Sequence, residues 1–219
     1  MKEFYGILQA CALFRGVQEG ELEGMLACLG ARKVAAQKEE SIFREGDPAN
    51  FVGVVLRGAV RILRTDFYGN QSIVGQVEPG DLFGEAFSCA GVQALPVSAV
   101  AAQSSEVLLL DIHRVLTLCA NTCTFHSRIV SNLVQVLAGK NLGLNQKLDI
   151  ASRRTTRDKL LAYLTAQAKA AQSPRFTIPF DRQALADYLG VERSAMSAEL
   201  SKLQKEGVLK THRSQFELL

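Results

Sequence analysis

Histidine is scarce in this chain of 219 residues: three in all, at 113, 126 and 212, and none on a stretch that reads as a barrel strand. A small β-barrel that binds a metal needs histidines clustered on adjacent strands to supply ligands, so a cupin-type metalloenzyme is excluded. The sequence also has no GxSxG elbow, no Walker loop and no GxGxxG after a strand. No catalytic role, no metal and no cofactor is expected. The five cysteines, Cys11, Cys28, Cys89, Cys119 and Cys123, form no CxxC pair and are odd in number. In a chain too long to need disulfides they read as reduced cytosolic thiols. No apolar run reaches the ~18 residues of a membrane span. The run before Cys11, from Phe4 to Leu8, is shorter than a signal-peptide core of about 7 to 15 residues. A cytoplasmic protein without membrane contact is expected.

What is present is ordinary globular material, 47% hydrophobic and 21% charged, with enough length for a real core and too much hydrophobicity for disorder or a collagenous repeat. The charge is uneven. Through Asp149 there are 13 Lys and Arg against 15 Asp and Glu, a net −2, and after it 12 against 7, a net +5. The basic surface belongs to the last third.

Leu22, Met25, Leu26 and Leu29 recur at helical spacing and predict a short amphipathic helix over 18–30. From Arg32 to Asp111 the period changes. Short apolar runs, such as 51–56, 60–63, 72–77, 97–102 and 107–110, are separated by Gly46-Asp47-Pro48, Gly58, Gly69-Asn70 and Pro79-Gly80-Asp81. Many short strands punctuated by glycine turns argue for an antiparallel barrel or sandwich.

After His113 the pattern is helical and proline-free to about Gln172. Within it Val130, Val134, Leu137, Asn141, Leu144 and Leu148 step alternately by four and three, the spacing of a coiled-coil seam, and a polar Asn141 would set register. This is the candidate homodimer seam. Ile129, Leu133 and Val136 widen the stripe, so the helix packing along its own barrel is the alternative.

Gln172-Ser173-Pro174-Arg175 ends the helix. Asp181 is placed to cap a helix running to Leu189, Gly190 supplies the turn, and a second helix runs from near Arg193 to Gly207. Met196, Leu200 and Leu203 share its inner face, leaving Arg193, Ser194, Ser197, Ala198 and Ser201 outward. Two helices joined by a glycine turn in a basic segment make a helix-turn-helix whose second helix fits the major groove of double-stranded DNA. Residues 211–219 read as a short hairpin or wing.

Glu45-Gly46-Asp47-Pro48, Gly58-Ala59-Val60-Arg61-Ile62, Gly80-Asp81-Leu82-Phe83-Gly84-Glu85 and the run from Asp181 to Arg193 resemble, in order along nearly the whole chain, the Crp/Fnr superfamily of bacterial transcription regulators. The resemblance implies an α+β architecture: an antiparallel, jelly-roll-like β-roll sensor over 1–113, a long dimerisation helix over 114–149 and a C-terminal winged helix-turn-helix over 150–219. It implies a homodimer on a two-fold symmetric operator, RNA polymerase as a further partner, and a small-molecule effector. Arg193 matches an arginine that reads a guanine edge; Ser194 and Ser197 lie beside it, with Arg182, Gln183 and Lys202 as phosphate contacts. Ser194 and Ala198 depart from the glutamate and second arginine of the nucleotide-responsive branch, which leaves the operator sequence open.

Members that bind cyclic AMP carry an Arg-Ser pair about ten residues after the Gly-Glu. Here the matching place is Leu95-Pro96-Val97, which offers no guanidinium for a phosphate. Cyclic AMP is therefore not the expected effector. Phe83, Phe87, Cys89, Leu95 and Val97, with Glu85 at the cassette and Asn141 and Leu142 from the long helix, suggest an apolar pocket for an organic effector; the alternative is that they are core. Glu85 reads as holding its loop. An iron-sulfur cluster is excluded, since Cys11 and Cys28 have sixteen residues between them and no third thiol joins them. Two redox or haem readings remain as alternatives, Cys123 meeting its twin in a dimer with Cys119 one turn away, and His126 or Cys89 as haem ligand. A further alternative is a protein-interaction module with a degenerate helix-turn-helix.

Overall fold

The computed structural model describes residues 2–117 and 124–219 and divides into two compact units, Met1–Gly139 and Lys140–Leu219. In the first unit, helices α1 (Tyr5–Ala10) and α2 (Glu19–Cys28) precede eight strands: β1 (Arg32–Ala36), β2 (Ser41–Phe43), β3 (Phe51–Arg57), β4 (Val60–Thr65), β5 (Gln71–Val77), β6 (Leu82–Phe83), β7 (Ser98–Ala101) and β8 (Ser105–Asp111). Helix α3 (Glu85–Cys89) interrupts them after β6, and α4 (Ile112–Leu116) follows β8. All pairings are antiparallel, in two four-stranded sheets ordered β1-β8-β3-β6 and β2-β7-β4-β5.

The run Phe51-Val52-Gly53-Val54-Val55-Leu56 is apolar without alternation because β3 is covered on both faces. Val55 joins Val60, Val77, Phe83, Ala99, Val107 and Leu109 in the core between the sheets. Val52, Val54 and Leu56 point the other way, into a second core with Phe4, Leu8, Leu22, Met25, Leu108 and Leu110. Gly53 is obligatory, since a Cβ there would sit 2.2 Å from the Phe83 ring.

Helix α5 spans Thr124–Ala151. Ile129 and Leu133 are buried in the second core and Leu137 packs against it in part, so the helix does lie along its own roll through one face. Val134, Leu144 and Leu148 are left 59%, 63% and 66% exposed. The helix packs on its own roll near its start and farther along leaves exposed the apolar residues expected at a dimer seam.

The expectation of one helix continuing to Gln172 is corrected: α5 ends at Ala151 and α6 spans Thr156–Ala171. Thr155 caps the new helix, its Oγ1 accepting from the Asp158 amide at 3.1 Å. In the second unit β9 (Arg175–Thr177), α7 (Arg182–Leu189), α8 (Arg193–Lys205), β10 (Leu209–His212) and β11 (Gln215–Leu218) follow. The strands form a sheet ordered β10-β11-β9. Its core holds Leu160, Tyr163, Leu164, Leu185, Leu189, Met196, Leu200, Leu203 and Phe216. Burial, with Tyr188 beside it, pushes the Tyr163 phenol up to about 12.

Among the described residues no helix is long and apolar enough to cross a membrane, and no group of three or more His, Cys, Asp or Glu could hold a metal.

Candidate nucleic-acid interface and sensor pocket

Helix α7 starts where Asp181 Oδ1 accepts from the Ala184 amide at 2.8 Å, and ends at Gly190 with φ +61°. That left-handed turn sets α8 against α7. Lys159 Nζ, from α6, donates to the carbonyls of Leu189 at 3.1 Å and Gly190 at 3.4 Å and ties the turn to the helix behind it. Met196, Leu200 and Leu203 are buried as their spacing required, while Arg193, Ser194, Ser197 and Lys202 are exposed.

The two carboxylates of α8 and its C-cap would weaken an anion-binding surface. They are occupied: Arg157 donates to Glu199 at 3.2 Å and to Glu206 at 2.6 Å. The guanidinium holds the Glu206 carboxyl below its usual range. Arg193, Lys202 and Lys205 are the basic side chains left on the helix.

An open groove of about 570 Å³ is lined by Arg182, Gln183, Arg193 and Arg213, with Asp181, Ser214 and Ile178-Pro179-Phe180. It brings together three of the residues expected at DNA. Lys202 is not among its walls. Arg182 is less free than a phosphate contact requires. Its guanidinium stacks 5.2 Å over the Phe216 ring and its Nη2 donates to Thr211 Oγ1 at 2.9 Å, so it anchors the wing. Its Nη1 is buried without a hydrogen-bond partner among the described residues, and burial lowers its pKa. Gln183 donates to Asp187 at 2.9 Å. Arg213 is the residue that sequence reading missed. It sits exposed in the two-residue connection of β10 and β11 with φ +52°. An arginine at a hairpin turn in the most basic segment was the available signal.

In the first unit Gly84, at φ +79°, delivers Glu85 into the first turn of α3, where it is buried. Ser88 Oγ donates to the Phe51 carbonyl at 2.8 Å, binding the cassette helix to β3. Phe83 is packed inside the roll, its ring 5.4 Å from that of Phe43. Leu95 and Val97 are buried, and Leu95 exchanges backbone hydrogen bonds with Asp47 and Gly46, both at 2.9 Å. Phe87 and Cys89 are half-buried. Burial, and the Glu85 charge after it, push the Cys89 thiol up. Asn141 and Leu142 are exposed and lie in the second unit. Cys119 and Cys123 lie outside the described residues. His126 has Nε2 bonded to the Arg114 carbonyl at 2.9 Å and Nδ1 facing Cys28.

Residues 33–122 match the family described as Cyclic nucleotide-binding domain, and residues 158–219 the Crp-like helix-turn-helix domain. The chain is 28% identical to the Cyclic AMP receptor protein of Thermus thermophilus over 93% of this chain and 90% of that protein. It is 26% identical to a Probable transcriptional activator of Rhizobium leguminosarum over 82% and 72% respectively. The crystal structure of the Thermus thermophilus Catabolite Activator Protein superposes with a TM-score of 0.55 at 26% identity, over 95% of this chain and 93% of the other. A cyclic-nucleotide-binding-type roll followed by a helix-turn-helix with a basic outer groove defines a DNA-binding transcription regulator. The chain belongs to the Crp/Fnr family.

Proposed function

We propose that the protein is a cytoplasmic homodimer that binds a two-fold symmetric operator and is switched by a small effector other than a cyclic nucleotide. The observation that carries DNA reading is the groove in which Arg193 and Arg213 stand together at the mouth of α8. Arginine forks suit guanine edges and phosphates. Ser194 and Ser197 share the exposed face, and Gln183 and Lys202 fix register on the backbone. Footprinting on genomic fragments should protect two half-sites about 10 to 10.5 base pairs apart or a multiple of that. Affinity should fall with salt at a slope of about −0.9 per phosphate neutralised. Uniform binding to all fragments would overturn sequence-specific reading. Docking to RNA polymerase is part of the same proposal.

The exposed stripe of Val134, Leu144 and Leu148 supports the homodimer, because a seam of large apolar side chains on a long helix is stabilised by a second copy.

The effector site is proposed at Glu85, Phe87, Cys89, Leu95 and Val97 of the first unit. Phe83 supports it from the core. The Thermus relative is named for cyclic AMP, yet this chain has Leu95-Pro96-Val97 in place of the phosphate-binding Arg-Ser. A buried phosphate without a cationic partner is strongly disfavoured. Calorimetry should detect no binding of cyclic AMP or cyclic GMP, and neither should change DNA affinity. A micromolar dissociation constant for either would overturn the assignment.

A further inference from the structure

Three cysteines lie among the described residues, all free. Burial pushes the thiols of Cys11 and Cys89 up, which holds them in the unreactive protonated form. Cys28 has different surroundings. It is the last residue of α2, half-buried, and its Sγ lies 4.0 Å from His126 Nδ1. His126, on the opening turns of α5, is only 3% exposed, and its Nε2 is 2.9 Å from the Arg114 carbonyl. A carbonyl oxygen only accepts, so the Nε2 proton is donated there and Nδ1 is the ring nitrogen that faces the thiol. Cys28 and His126 are 98 residues apart and on different helices. At 4.0 Å the contact is long, as acid–base pairs often are before their reactant arrives.

We propose that Cys28 and His126 form a thiol–imidazole pair that reacts with a small neutral hydroperoxide, hydrogen peroxide being the simplest. Nδ1 takes the Sγ proton, and the thiolate attacks one peroxide oxygen. The S–O bond forms as the O–O bond breaks. The departing hydroxide takes the proton back from Nδ1 and leaves as water. Sulfur is oxidised by two electrons to a sulfenic acid, and the peroxide is reduced. The oxidant is small because the thiol is half-buried. It is neutral because a half-buried site disfavours a charged entrant. Both residues lie in the first unit, so the proposal does not rest on DNA binding.

The test treats the reduced full-length protein with hydrogen peroxide in the presence of dimedone, which traps sulfenic acids, and follows each cysteine by peptide mass spectrometry. Cys28 should be labelled about a hundredfold faster than Cys11 and Cys89. In His126→Gln the side-chain amide can still donate to the Arg114 carbonyl but no base faces the sulfur. Cys28 labelling should then slow by a similar factor while the unfolding midpoint is kept. Equal rates at the three thiols in the wild type, or an unchanged Cys28 rate in a folded His126→Gln protein, would overturn the proposal. If His126→Gln does not fold, the wild-type comparison decides.

Discussion

Leu144→Asp is expected to scatter as a monomer and to lose operator binding, and the wild type to scatter as a dimer. The side chain is 63% exposed on α5, three turns beyond Leu133, and belongs to neither buried core, so the substitution leaves both cores intact. In a parallel seam the two copies of residue 144 face each other. Two carboxylates brought together without partners cost on the order of several kcal/mol, more than a seam of three heptads can absorb. Leu137 lies on the same stripe but also packs on the first unit's core. Leu137→Asp would therefore damage the fold as well as the dimer. Asn141→Leu should act in the opposite direction, tightening association while loosening register. Asn141 accepts from Asn145 Nδ2 at 2.8 Å within its own helix, so its removal strands no buried group. A Leu144→Asp protein that stays dimeric would place the interface elsewhere.

The second large effect is at Arg193. Arg193→Ala should weaken operator binding by about 1 to 3 kcal/mol and relax the preference at one base position. Lys202→Ala, two turns along α8 and outside the groove, should weaken all sequences alike and flatten the salt slope by about one. Arg193 stands in the first turn of α8, and the Arg157 pairs with Glu199 and Glu206 keep two carboxylates from competing for its neighbourhood. Titration of both variants against operator and random duplex separates the roles. Equal losses on both duplexes for both variants would remove Arg193 as a base reader.

The parts of this fold legible in the sequence are those whose signals are local. Asp181 and Gly190 mark the ends of α7 because a cap needs an acceptor and a left-handed turn needs glycine. Met196, Leu200 and Leu203 mark the inner face of α8 because burial follows helical period. The break between α5 and α6 was also written locally, as Thr155 three residues before Asp158, but the absence of glycine or proline there hid it. Strand β9 was illegible. Three residues have no period, and Arg175–Thr177 is a strand only because β11 lies beside it. The same holds for the site. Arg193 follows from its place on α8. Arg182 reads as a phosphate contact until Phe216 and Thr211, more than twenty-five residues on, are seen to hold it. The Cys28–His126 contact has no sequence signature, because it joins two helices that the whole roll separates in the chain.

Strand β3 is hydrogen-bonded to β8 on one edge and to β6 on the other, and its two faces belong to different cores. It therefore has no silent side on which substitutions can accumulate. Substitution has more room in α3, tied to β3 by the Ser88 hydroxyl on the Phe51 carbonyl, and in the loop to Val97, tied through Leu95 to Gly46 and Asp47. A rib fixed on both faces beside a separately tethered cassette would let the lining of the roll change while its frame stays the same.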